Sequence, residues 1–376
     1  MANIIQTLLK PASILSGIII GAGVFSLPYI FNAAGLATSF FYLIFFGFIF
    51  ILLYFFYADI IVRTPGEHRF VGYARLYLGE WGFLAALIIG LVQLFFVLTI
   101  YLILAPSFSQ MIFGGNFLIH LLVFWIIGSL SIFADSKRLA NLEFFIVIGI
   151  TLIMALIFFM GIGKFIASPI GFGSLDPRKF LLVGPILFSL SGILGVTEVV
   201  SYFREVKIPL SFLRNVLIFG GALPVVVYGA FVLGIIGLST VISQDSVSGL
   251  AGNLHPAFLI IIGILGLLAL ISSYVVIGEN VRRIIRHDLS LSDILGGVVA
   301  VFAPLALYFL GFQSFIGVVS FVGAIFLPLE GIFIILMWLK MNKSAELPSI
   351  LVKNWMQAFI PVILLVFMTA LIYAII

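Results

Sequence analysis

Runs of about 20 apolar residues, the length a helix needs to cross the hydrocarbon core of a bilayer, recur along the whole chain. Short polar or Pro/Gly-rich breaks separate them. Eleven such stretches stand out, near residues 12–34, 38–61, 83–105, 117–133, 143–162, 181–202, 214–238, 256–278, 292–310, 314–338 and 355–375. Only helices and closed barrels satisfy their backbone hydrogen bonds in lipid. The runs lack the two-residue alternation of barrel strands. The pattern therefore predicts an all-α integral membrane protein with about eleven transmembrane helices.

Composition sharpens this reading. Of 376 residues, 64% are hydrophobic and 9% charged, against roughly 25% charged in a soluble domain. So few charges cannot cover the surface of a water-soluble fold of this size. No cysteine is present, which excludes disulfides, thiolate metal sites and cysteine nucleophiles. The net charge of +4 gives no ground for a nucleic-acid partner. The distribution of basic residues says more. With the N-terminus in the cytoplasm and the stretches alternating, fifteen of the eighteen Lys and Arg fall inside, and only Lys164, Arg178 and Lys179 fall outside. That bias fits the positive-inside rule and places the C-terminus outside the cell (plasma or inner) membrane. No small-residue cleavage site follows the first stretch, which reads as a mature helix rather than a signal peptide.

The stretches also divide into halves of similar length, 12–162 and 181–338, with an extra helix at 355–375. Each half holds five spans, an odd number, so the second half enters from the opposite face. Inverted repeats of this kind are a mark of secondary transporters. On this reading residues 1–376 form a single transmembrane domain.

The first stretch of each half is weakened at its middle. The first reads Ser16-Gly17-Ile18-Ile19-Ile20-Gly21-Ala22-Gly23-Val24-Phe25-Ser26-Leu27-Pro28, with three glycines and a proline that cannot donate a helical hydrogen bond. The sixth reads Leu187-Phe188-Ser189-Leu190-Ser191-Gly192-Ile193-Leu194-Gly195, just after Pro185. Gly17 and Gly21 also form a GxxxG, which elsewhere simply lets helices pack closely. Breaks at repeat-related positions of both halves favour binding over packing. An unwound stretch frees N–H groups that attract a carboxylate, and C=O groups that accept from an ammonium or hold a small cation. A zwitterionic amino acid matches both.

At these residues the chain resembles the amino acid–polyamine–organocation superfamily, and within it the aromatic amino acid permease and amino acid/auxin permease branches. Gly21 to Pro28 followed by Asn32-Ala33-Ala34-Gly35 is similar to their first helix. Leu187 to Gly195, then Arg204-Glu205-Val206-Lys207, is similar to their sixth. Ser272-Ser273-Tyr274 to Arg282-Arg283 and His287-Asp288 is similar to their eighth helix and its cytoplasmic exit. The resemblance implies a LeuT-type fold of five plus five inverted helices. It implies that the Ala22 and Gly23 N–H groups, beside Gly21, bind a substrate carboxylate. Carbonyls near Phe188, Ser189 and Ser191, with the Ser191 hydroxyl, would face the amine, and Phe188 would wall the ligand. It further implies an ion site like that of sodium-coupled members at Gly17, Ile20, Ala269, Ser272 and Ser273. The aromatic permeases the chain resembles are generally regarded as proton-driven, so the coupling ion is left as sodium or proton. The adjacent serines have a plainer reading, as back-bonded to their own turn.

Other polar residues carry two readings each. Glu198, just past the sixth break, is a proton carrier or gate, or the structural partner of a helix-end arginine. Glu330 and Asp59 are ionisable residues within spans, functional candidates or structural partners of a helix-end arginine or a backbone group. Gln93 and Tyr101 of the third span are candidates to line the pocket, or packing or lipid contacts. Enzyme chemistry finds no support. His68, His120, His255 and His287 are scattered without a His-Glu-x-x-His pair, and there is no P-loop and no Gly-x-Ser-x-Gly elbow. No cofactor is expected beyond the coupling ion. The expected function is secondary transport of amino acids, aromatic or apolar ones included, by alternating access. A non-transporting sensor of the same fold and a channel are the alternatives.

Overall fold

The computed structural model describes residues 4–66, 68–133, 139–167, 182–344 and 349–375. Among them every regular element is helical. The helices are α1a (Lys10–Ile19), a 3-10 turn (Ala22–Ser26) running into α1b (Leu27–Ala34), α2 (Leu36–Arg63), α3 (Phe70–Phe113), α4 (Phe117–Ile132), α5 (Leu139–Ala167), α6a (Val183–Ser189), α6b (Ile193–Val206), α7 (Leu213–Leu238), α8 (Pro256–Arg283), α9 (Asp293–Phe309), α10 (Leu327–Ser344, entered through Phe315–Phe321 and a π-turn Val322–Phe326) and α11 (Ile360–Ile375). Each of the eleven apolar stretches thus carries helix. Eight described helices are long and apolar enough to cross a membrane, and the bent pair α1a/α1b makes a ninth. The remaining two, α4 and α9, are shorter apolar helices of 16 and 17 residues, which is compatible with eleven spans. The chain is a multi-pass membrane protein.

The structure extends α3 well beyond the apolar run at 83–105. Its first turns hold Arg75 and Glu80, paired at 2.8 Å, which end an apolar count without ending a helix. The chain turns at Gly79, whose φ of +76° lies in the left-handed region that glycine enters at no steric cost.

Close backbone approach holds the bundle together where glycines face each other. A Cβ on Gly161 of α5 would lie 2.1 Å from the Gly234 carbonyl oxygen of α7, and one on Gly234 would lie 2.6 Å from that of Ile157. Small residues at such crossings let dispersion and polar contacts act where water supplies no driving force. Against α7 also packs α1a, whose Ser16 hydroxyl donates to the Gly220 carbonyl at 2.9 Å.

Polar clamps gather the arginine-bearing helix ends. Arg204 at the end of α6b donates to the Ile61 carbonyl at 2.7 Å. Arg63 closes on Asp59 at 3.2 Å and on Asn342 of α10 at 3.1 Å. Asp59, buried, also accepts from the Trp338 indole at 2.8 Å and the Ser349 hydroxyl at 2.6 Å, so it is the structural partner expected of it. Arg282 meets the Ile132 carbonyl and Asp293. Lys137, Arg138, Arg178 and Lys179, which enter the charge count, lie outside the described residues.

Candidate functional site

Helix α1 breaks where its glycines cluster. Ile20 leaves the helix at ψ +76°, Gly21 is extended at φ −117° and ψ −154°, and the two halves bend by 49°. Ala22 and Gly23 start the next helical turn, where no carbonyl of the same helix can reach their N–H groups. Helix α6 breaks at Leu190–Gly192, between α6a and α6b. The two breaks meet: a Cβ on Gly23 would lie 2.6 Å from Ser189 Cα and 3.0 Å from Phe188 Cδ1.

The carbonyls freed by the breaks are met by two tyrosines that the sequence did not single out. The Tyr228 hydroxyl, fully buried in α7, lies 2.6 Å from the Ile19 carbonyl and 2.9 Å from that of Ser189. The Tyr54 hydroxyl of α2 donates to the Leu190 carbonyl at 2.5 Å. Unpartnered buried carbonyls are costly, so these side chains fix the backbone of both breaks.

A cavity borders the two breaks. Gly21, Ala22, Gly23, Phe188 and Ser191 line it. Ser189 does not. Its hydroxyl bonds back to the Ile186 carbonyl at 2.9 Å, its carbonyl faces Tyr228, and its Cα abuts Gly23, so it serves the contact between the helices. Apolar walls come from Ile18, Ile19, Leu94 and Val97. Beyond the break, the ring of Phe25 meets Phe108 at 5.0 Å and Phe231 at 6.1 Å, both edge-on. The Ser246 hydroxyl holds the Phe25 carbonyl at 2.6 Å. These contacts cover that side. In the other direction the cavity runs past Tyr57, Arg69, Val71, Asn280 and Ile284 toward the arginine-bearing helix ends.

Three further residues border the cavity. Gln93 and Tyr101, pocket-lining or packing residues by sequence, line it; the Tyr101 hydroxyl would lie 3.5 Å from a Cβ on Gly21. Glu330, a functional candidate or structural partner by sequence, is buried and also lines the cavity, where it accepts from the Gln93 amide at 3.2 Å. Glu198 is absent from the cavity lining. It pairs with Arg69 at 2.9 Å, which matches its reading as the partner of a helix-end arginine.

None of Gly17, Ile20, Ala269, Ser272 and Ser273 lines the cavity. The Ser272 hydroxyl is buried without a hydrogen-bond partner among the described residues, whereas Ser273 meets the Tyr101 hydroxyl. The first two residues sit on and just past α1a, which packs on α6b and α7. The last three sit on α8, which packs on α3, α4, α5 and α9.

With this geometry in place, likeness to solved structures is informative. The chain is similar to Mhp1, a nucleobase-cation-symport-1 family transporter in a closed conformation with bromovinylhydantoin bound, at 15% identity and a TM-score of 0.66, over 97% of this chain and 89% of that one. It is similar to MhsT in complex with L-phenylalanine at 17% identity and a TM-score of 0.66, over 100% of this chain and 99% of that one. No family model matches the chain, and no curated protein does. The likenesses establish the fold: an all-helical membrane protein of LeuT type.

Proposed function

We propose that the chain is a secondary active transporter for amino acids, working by alternating access. On this reading it is an amino acid–polyamine–organocation superfamily member nearest the aromatic amino acid and amino acid/auxin permeases. The observation that carries the reading is the cavity bordered by the breaks of both α1 and α6. The Ala22 and Gly23 N–H groups receive the carboxylate, Ser191 and the backbone around Phe188 receive the amine, and the apolar walls receive the side chain. The bound ligands of the two similar structures, a hydantoin and L-phenylalanine, support a small-molecule substrate with a ring or apolar group. The bundle that contains α1 and α6 rocks against the scaffold helices about the ligand, with the N-terminus cytoplasmic and the C-terminus outside.

The test is a thermal-shift panel of amino acids on the purified chain. A ligand that binds the folded state raises its apparent stability by mass action, by about 2.7 kcal/mol at a hundredfold excess over Kd. At least one amino acid is expected to raise Tm, its enantiomer much less. No stabilisation by any amino acid would remove the reading. For the coupling ion we favour the proton over sodium, because a carboxyl group lines the cavity and the α1 and α8 ion residues do not. Replacing sodium by potassium should therefore leave the shift unchanged. A sodium-dependent shift lost in Ser272→Ala and Ser273→Ala would move the coupling to those serines instead.

A further inference from the structure

Glu330 and Gln93 stand apart from the helix breaks. On α3, Gln93, Val97 and Tyr101 follow one another at four-residue spacing and all line the cavity. Tyr101 stands beside Gly21 at the break. Gln93 lies eight residues earlier, about 12 Å along the axis at 1.5 Å per residue, toward the arginine-bearing end. The ammonium of a ligand whose carboxylate sits at Ala22 and Gly23 is one carbon away from that carboxylate. On the reading above its partners are Ser191 and the backbone around Phe188, not Glu330.

No cation serves Glu330 either. Among the described residues, no Lys, Arg or His pairs with it. The other ionisable groups lining the cavity are Tyr57 of α2, Tyr101 of α3 and Arg69 at the start of α3, and Arg69 pairs with Glu198. Tyr54 of α2 lies near by and is committed to the Leu190 carbonyl. Glu330 is thus a buried carboxyl group whose one hydrogen-bond partner is an amide.

That amide is only half used. Gln93 donates its Nε2 to Glu330 at 3.2 Å, while its Oε1 is buried without a partner among the described residues. A carboxylate accepts from an amide N–H; a carboxylic acid donates its O–H to an amide oxygen. Turning the Gln93 amide over would present the unused Oε1 to a protonated Glu330. One side chain therefore offers Glu330 a partner in both protonation states. Burial penalises an ionised carboxylate and water relieves the penalty. A cavity that alternately dries and fills would make such a group gain and lose a proton.

We propose that Glu330, supported by Gln93, is the proton-carrying site of this transporter: it takes up one proton as the loaded cavity closes and releases it as the cavity opens. In the step the Glu330 carboxylate takes a proton from a hydronium ion of the water on one face, an O–H bond of hydronium breaking as the carboxyl O–H forms, and that O–H breaks again as the proton passes to water on the other face. The inference rests on the transporter reading above, and the experiment separates the two. The purified full-length chain is placed in proteoliposomes with the amino acid that gives the largest thermal shift. Uptake is read in two modes: accumulation driven by a pH gradient of one unit, and counterflow exchange at equal pH.

For one-to-one coupling the unmodified chain should accumulate substrate toward about tenfold, because one pH unit is a tenfold proton ratio. Glu330→Gln, fixed in the uncharged form, should fall to no accumulation yet retain counterflow. Glu330→Asp should recover part of the accumulation with a displaced pH profile. Gln93→Leu should displace the profile and keep counterflow. Accumulation by Glu330→Gln equal to that of the unmodified chain would overturn the proposal. So would a sodium gradient at equal pH driving uptake in both. Loss of counterflow in Glu330→Gln would also overturn it, by making Glu330 part of the fold or the substrate site. Absence of counterflow in the unmodified chain would remove the transporter reading, and the proposal with it.

Discussion

Gly23→Leu is expected to lose amino-acid binding and uptake altogether while the chain still inserts and folds. The reason is contact with backbone. Even the first carbon of a side chain at position 23 would lie 2.6 Å from Ser189 Cα and 3.0 Å from Phe188 Cδ1. Side-chain ends can swing away, but the Cα of α6a moves only with its helix. Overpacking in a filled interior costs about 1–3 kcal/mol, and here the strain falls on the backbone that binds the ligand. The affinity should drop at least about a hundredfold, roughly 2.7 kcal/mol. Gly21→Ala is the control. Its added carbon would meet the Tyr101 hydroxyl at 3.5 Å and the Ile18 carbonyl oxygen at 4.0 Å, ordinary contacts, so binding should change far less. Thermal-shift titration measures both variants, with circular dichroism reporting the fold. Normal uptake by Gly23→Leu would sink the carboxylate site at this break.

Tyr228→Phe should lower both stability and uptake although the residue touches no ligand. Its hydroxyl lies 2.6 Å from the Ile19 carbonyl and 2.9 Å from the Ser189 carbonyl, one from each broken helix. The Ile19 carbonyl also accepts from Gly21 N–H at 2.8 Å. No other donor to the Ser189 carbonyl is found among the described residues. Leaving a buried acceptor unmet costs about 1–3 kcal/mol. Tyr54→Phe should do the same to the Leu190 carbonyl. The two act on adjacent residues of one break, so the double variant need not equal the sum of the singles. Melting curves without ligand give the stability loss, and melting curves with saturating amino acid give the loss in binding. A Tyr228→Phe variant with unchanged Tm would refute the bridging role.

What the sequence made legible was whatever lies within one helix. The break of α1 follows from Gly17, Gly21, Gly23 and Pro28, and that of α6 from Pro185, Ser191 and Gly192, because helix weakness is a local property. Gly21, Ala22, Gly23, Phe188 and Ser191 accordingly line the cavity as read. Ser189 was misplaced because the direction a residue faces beside a break depends on its neighbour helix, here α1. Glu330, Gln93, Tyr101, Tyr54 and Tyr228 act across helices, and nothing within a single apolar run distinguishes a cavity-facing position from a packed one. Glu330 also follows the π-turn Val322–Phe326, which shifts the helical register and so the face that α10 presents. The one signal available was its type: an ionisable residue within a span calls for a partner or a role. Glu198 drew attention by its nearness to the break, yet distance along the chain set it against Arg69 instead.

The central claim, that the paired breaks hold an amino acid and carry it across the bilayer, is tested most directly by counterflow. Proteoliposomes holding the purified chain are loaded with an unlabelled amino acid and diluted into a trace of the same labelled compound. The account expects a transient, saturable overshoot of label for the L-amino acid that raises Tm most, little for its enantiomer, and none in Gly23→Leu. Tight, stereoselective binding without any overshoot would contradict transport and make the chain a sensor. An overshoot undiminished in Gly23→Leu would contradict the placement of the ligand at the breaks.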